Sequence, residues 1–137
     1  MKKRLFISFI IGIVIAASIG FYLFNKPHAD IASQTAVATL SASDLFKAFS
    51  ENEVAANQKY VGKVVEISGL IHSLDEGSQG DLNILFMDED EMFGVACSID
   101  RKEDIDDLAV GQEITLKGEC SGMLSDVVLI RCVIVKK

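Results

Sequence analysis

Residues Leu5 to Phe24 form one unbroken, uncharged, mostly apolar run of twenty. Over residues 25–42 the hydrophobic positions lose any sustained period, which predicts a tether. A helical period appears next, with Leu45, Phe46, Ala48, Phe49 and Val54 on one stripe. Ser43 is placed to cap this helix, Asp44 sits against its positive end, and the stripe fades by Asn57. Two phenylalanines on such a stripe point to packing against a domain rather than to an exposed partner site.

After Gly62 the period becomes two. Val65, Ile67, Gly69 and Ile71 share one strand face, opposite Glu66, Ser68 and His72, and Gly69 predicts a bulge or bend. A turn over Asp75–Asp81 leads to strands at Leu82–Met87 and Phe93–Ile99, joined through Asp88-Glu89-Asp90-Glu91-Met92. Residues 101–108 predict a short helical or turn-like link. Gln112–Cys120 alternates with Ile114 and Leu116 on one face, and Val127–Val135 is the last strand. The resulting fold class is mainly β: five strands, with the link after the third, in the order of an OB-fold Greek-key barrel. Closure suits so small a body because it removes strand edges. A partly open sandwich is the structural alternative.

The uncharged run is long enough to span about 30 Å as a helix, the thickness of a bilayer core. Lys2, Lys3 and Arg4 precede it, so the positive-inside bias keeps the N-terminus cytoplasmic and sends the rest outside. The expected organisation is a basic cytoplasmic tail (1–4), a transmembrane anchor from Leu5 to Phe24, a linker (25–42), and a helix plus barrel (43–137). A cleaved signal peptide is the rival, but its apolar core is usually shorter and the Ala36-Val37-Ala38 triplet lies far downstream. No cysteine precedes Cys97, which leaves no N-terminal cysteine for a lipid. Gly12, Ala16 and Gly20 form a small-residue stripe through which two anchors can associate as a homo-oligomer.

Charge narrows the choice of partners. Of 137 residues, 13 are basic and 20 acidic, a net charge of −7, with mean hydropathy +0.33. The body that follows the apolar run is more acidic still, because three of the basic residues precede that run. Such a body suits polyphosphate poorly, since nucleic-acid binding depends on cations that release counterions.

Several segments resemble the bacterial tRNA_anti-like family, whose members carry OB-folds. The opening match is ENEVAANQKYVGKVVEISGLI, with Asn52, Glu53, Ala56, Asn57, Tyr60, Gly62, Lys63, Ser68 and Gly69 at the matching positions. FGVACSI, LAVGQEITLKGECSG and DVVLIRCVIV resemble the remainder, over roughly residues 43–137. The resemblance implies a barrel preceded by a helix and supplies no catalytic residues.

Candidate chemistry is sparse. By alternation Cys97, Cys120 and Cys132 face inward. A hairpin register summing to 252 would oppose Cys120 and Cys132, close enough for a disulfide, which an exported location permits. Buried free thiols are the competing outcome. No Cys-x-x-Cys is present, which argues against zinc or thiol redox duty. His28 reads as a solvated linker residue. The acids Asp88–Glu91, and Asp75, Glu76 and Asp81, lack calcium-loop spacing and read as solvated turns. His72 has no identifiable nucleophile or base partner, and glycine-loop and nucleophile-elbow motifs are missing. The expectation is a non-catalytic membrane-anchored binding or scaffolding module, without cofactor or metal, in the cytoplasmic (inner) membrane. Its domain would face the periplasm or extracytoplasmic space. The alternative is an oligonucleotide binder built on Phe86, Phe93, Lys63, Lys117 and Arg131.

Overall fold

The structure is a computed structural model that describes residues 2–24, 30–77, 80–99 and 107–137. The elements are α1 (Lys2–Phe24), β1 (Thr39–Ser41), α2 (Ala42–Glu51), α3 (Glu53–Tyr60), β2 (Val64–Glu76), β3 (Leu82–Phe86), β4 (Val95–Ile99), β5 (Glu113–Met123) and β6 (Val127–Lys136). A single 3-10 turn lies at Ile31–Ser33.

Strand pairing follows the order β2-β3-β4-β6-β5, and β5 pairs back onto β2, which closes a five-stranded barrel. Neighbours are antiparallel except β4 and β6, which run parallel. The inward phase expected from alternation fills the interior. Val65, Ile67, Ile84, Val95, Ile99, Leu116 and Leu129 are fully buried. Removing each such side chain from water contributes roughly 1.5–3 kcal/mol. Leu45 and Phe49 of α2, with Tyr60 of α3, join the same core, and the rings of Phe49 and Tyr60 lie 6.1 Å apart.

The structure corrects the sequence reading in five places. The helix cap is Ser41, not Ser43: its hydroxyl accepts the Asp44 N–H at 3.0 Å. The helical stretch is also two helices, because Asn52 leaves the helical region (φ −155°) and its side chain caps α3 through Ala55 N–H. The stretch expected as a tether is ordered from Asp30 onward. Ile31 is buried, β1 pairs in parallel with β2, and Val37 N–H donates to the Val64 carbonyl at 2.8 Å. Residues 25–29, with His28, lie outside the described residues, as does most of the 101–108 link.

The register break expected at Gly69 falls instead between Ile71 and Ser73. Gly69 serves a different end: a Cβ there would meet the Phe86 ring at 3.0 Å and the Ala42 Cβ at 3.3 Å, so its bareness lets both close on β2. Strand β6 does not keep its even phase. Val127 and Leu129 point inward, then Arg131 adopts φ 54°, and Cys132 is the next inward residue. Opposite β4, Leu129 pairs with Cys97 but Cys132 with Ile99, so β6 carries one extra residue there. The hairpin register itself differs from the expected one from the turn onward, because Met123 pairs with Val127, and it slips again between Cys120 and Gly122. Cys120 lies opposite Leu129 rather than Cys132, and all three cysteines are free and buried.

The anchor expected over Leu5–Phe24 falls on α1, which is helical throughout. Its side chains are described from Ile10 to Tyr22, and among the described residues no helix is long and apolar enough to cross a membrane.

Interior packing beneath the β6 bulge makes a mutational prediction. A Cβ on Gly118 would sit 2.5 Å from the Cys132 Sγ and 3.2 Å from the Leu129 Cβ. Gly118→Ala is expected to lower the unfolding free energy by about 1–3 kcal/mol in urea titrations. Combined with Cys132→Ala it should cost less than the sum of the two single changes. Additive losses would show that Sγ is not the obstruction.

Candidate functional site

Where β2 stops pairing with β5 and starts pairing with β3, the barrel wall opens into a cleft of about 400 Å³. Pairing of Ser41 with Ser68 sets the start of α2 beside the middle of β2, which brings Ala42 and Phe46 over Gly69. Leu45 and Phe49 take the inward stripe of α2, leaving Phe46 half-buried against the cleft. Phe86, at the end of β3, supplies the floor.

The opposite wall is the turn between β3 and β4, and three hydrogen bonds hold it. Ser43 Oγ donates to Asp88 Oδ2 at 2.7 Å, tying the turn to the first turn of α2. Gly94 N–H donates to Asp126 Oδ1 at 2.8 Å, and Val127 N–H to the Gly94 carbonyl at 2.9 Å. A Cβ on Gly94 would collide with the Phe86 carbonyl, so only glycine permits this return. Leu70 and Phe93 stand open at the cleft, 60% and 44% exposed. Around these apolar groups lie Asp88, Glu89, Glu91 and Glu113, and among the described residues no lysine, arginine or histidine lines the cleft. Among the described residues Glu89, Glu91 and Glu113 have no ion pair.

The residues singled out from sequence are not gathered in one place. The acids of the β3–β4 turn reach the cleft, with Asp88 held by Ser43. Of the two strand aromatics, Phe86 is buried and only Phe93 is open. The three candidate cations are engaged inside the domain. Lys63 Nζ donates to the Gln58 and Lys59 carbonyls, at 3.0 and 2.9 Å, on the last turn of α3. Lys117 Nζ lies 3.9 Å from Glu66 Oε2 and donates to the Gln34 carbonyl. Arg131 pairs with Glu119. The outward positions across β2, β3, β4 and β6 are Ser73, Leu85, Ala96 and Val128 in one row and Asp75, Asn83 and Ser98 in the next. That face, with which many OB-folds bind oligonucleotides, carries neither a cation nor a ring at those positions.

His72 is exposed on β2. Among the described residues no cluster of His, Cys, Asp or Glu is arranged to hold a metal ion. Gly12, Ala16 and Gly20 are exposed along α1, and no other group approaches the two glycines within 4 Å. Sequence reasoning missed Ser43 as a clamp, and Phe46, Gly69, Leu70 and Gly94 as cleft residues. Leu70 carried a signal: a large apolar side chain in the outward phase of an otherwise polar strand face.

Burial sets the character of the thiols. It pushes the Cys97 thiol well up from its ordinary value, and contact with the Cys132 thiol adds to the shift. Burial also raises Cys120, partly offset by a hydrogen bond from the Gly122 backbone. These are packed apolar groups rather than nucleophiles.

A small closed OB-type barrel with an open cleft on its wall is the class that this geometry defines. The chain belongs to the tRNA_anti-like family, whose profile matches residues 1–134. A crystal structure of a "putative nucleic acid-binding lipoprotein" from Klebsiella pneumoniae subsp. pneumoniae has a similar fold, with a TM-score of 0.60. The two chains are 21% identical, over 81% of this chain and 100% of that one. Among curated proteins none matches the chain.

The raised thiols predict a pH dependence. An unfolded cysteine ionises near pH 8.5. A folded-state value above that keeps the native thiol protonated, so its stabilisation is complete below about pH 8.5 and is lost as pH rises from there towards the folded value. Each such thiol should lower stability by up to about 1.4 kcal/mol per pH unit above that point. Urea midpoints between pH 7.5 and 10 should fall more steeply for the wild type than for Cys97→Ala. Equal slopes would contradict the burial effect.

Proposed function

We propose that the protein is a non-catalytic OB-fold binding module, tethered to the cytoplasmic membrane by α1 and displayed on its outer side. The observation that carries the binding reading is the cleft beside Gly69, where large apolar side chains stand open to solvent in a wall held by Ser43–Asp88 and by Gly94. Its polar groups are carboxylates and hydroxyls without a base-activated nucleophile, which favours recognition over reaction. The tether is supported by the twenty uncharged residues from Leu5 to Phe24 on one continuous helix, with Lys2, Lys3 and Arg4 before them. A helix of that length matches the bilayer core, and the basic flank favours an inside N-terminus. The similar Klebsiella chain is described as a lipoprotein, which supports an envelope location, and in this reading α1 is the attachment. Pairing of two anchors through Gly12, Ala16 and Gly20 is compatible with this arrangement.

That neighbour's description as nucleic acid-binding favours a second reading, in which the barrel takes oligonucleotides. The engaged cations and the acidic cleft oppose it, because a phosphate chain would meet carboxylates there.

Protease treatment of intact spheroplasts tests the topology. The barrel should be digested from outside while a cytosolic marker survives, and the protein should sediment with membranes after high-salt and carbonate washes. A domain protected until the cells are lysed, or a protein recovered in the soluble fraction, would overturn the reading.

A further inference from the structure

We infer that the cleft beside Gly69 docks a cationic, amphipathic peptide segment, with apolar side chains seated against Phe46, Leu70 and Phe93 and lysine or arginine side chains facing Glu89, Glu91 and Glu113. This rests on the binding-module reading above and adds the chemistry of the ligand.

Charge complementarity selects the occupant. Among the described residues four carboxylates line the cleft and no cationic side chain does, and none of the four is in an ion pair. Lys117, Arg131 and Lys63 are engaged by Glu66, Glu119 and helix carbonyls, so none of the three is turned to the rim acids. Lys136 and Lys137 lie along the far side of Glu113, outside the cleft. An anionic polymer or headgroup would add like charge to this potential, whereas a basic segment would be drawn to it.

The apolar part of the cleft explains why a bare cation is not enough. Leu70 is 60% exposed and Phe93 44%, and both line a trough of about 400 Å³ beside the half-buried Phe46. Covering them releases water from surface that the domain leaves uncovered, and a cleft of this size accepts two or three large side chains. The trough is open, so a chain can enter and leave it, as a peptide requires.

The test uses the full-length protein in nanodiscs of zwitterionic lipid, with empty nanodiscs as the blank. The probe is a dye-labelled, N-acetylated octapeptide of alternating lysine and leucine, followed by fluorescence anisotropy. Binding is expected at low salt, weakening as ionic strength rises towards about 0.3 M. A variant carrying Glu89→Gln, Glu91→Gln and Glu113→Gln should bind about tenfold more weakly, and Leu70→Ser should weaken binding without changing its salt dependence. The same peptide with glutamate for lysine should not bind. Thermal midpoints of both variants establish that the barrel is folded. Equal affinity of the wild type and the triple variant, or no binding of the lysine peptide, would overturn the inference. A single-stranded oligonucleotide that binds instead would also overturn it, while leaving the binding-module reading standing. A barrel protected in spheroplasts overturns that reading and not the peptide preference.

Discussion

Closing five strands into a barrel requires every strand to pair along both edges, and the long β2 does so with a different partner in each half. From Val64 to Leu70 it pairs with β5, and from Ile71 to Glu76 with β3. The change of partner leaves a corner near Gly69, where two strands diverge and no third covers the gap. Tight packing of Phe86 and Ala42 against Gly69 fills the inner half of that corner. The outer half stays open, and Leu70 stands in it because its phase points away from the core. The cleft is thus a by-product of closure, tuned by the residues placed around it.

Much of the barrel is legible in the alternation of apolar and polar residues. The five strands, their order and the inward faces of β2, β4 and β5 follow from a period of two, which survives wherever a strand runs without irregularity. What was not legible lies where the backbone departs from that period. Arg131 takes a left-handed conformation that a long, non-glycine side chain disfavours, so nothing in its identity signals a bulge. One extra residue there turns Cys132 inward beside Cys97, while the register set at Met123 and Val127 leaves Leu129 opposite Cys120. Asn52 behaves similarly: a helical stripe continues through Phe49 and Val54 in sequence, but the backbone breaks between them to recap. The ordered segment before α2 escaped notice because Ile31 and Leu40 are too few to set a period, and only the tertiary surface of β2 gives them partners.

The placement of charge, more than its total, gives the site its character. Lys117–Glu66 and Arg131–Glu119 are half-buried pairs whose effect on the site is local neutralisation. They engage Lys117 and Arg131, the cations in the middle of the β5–β6 hairpin. Lys63 is likewise turned to the carbonyl end of α3, where a positive charge meets the negative pole of the helix. Among the described residues the acids of the β3–β4 turn have no such partners.

Aggregation control accounts for acids beside an exposed Phe93 and Met92 only in part. Charges that merely keep an apolar patch soluble need no particular wall behind them. Here the wall is built: Ser43 fixes Asp88, and Gly94 allows the turn to fold back against the Phe86 carbonyl where any side chain would collide. Holding a turn in one place costs conformational entropy, about 1–2 kcal/mol per ordered residue of backbone. That cost gains nothing for a solvated loop. It is recovered when a ligand meets a surface already shaped to receive it, and an acidic rim held around Leu70 and Phe93 is such a surface.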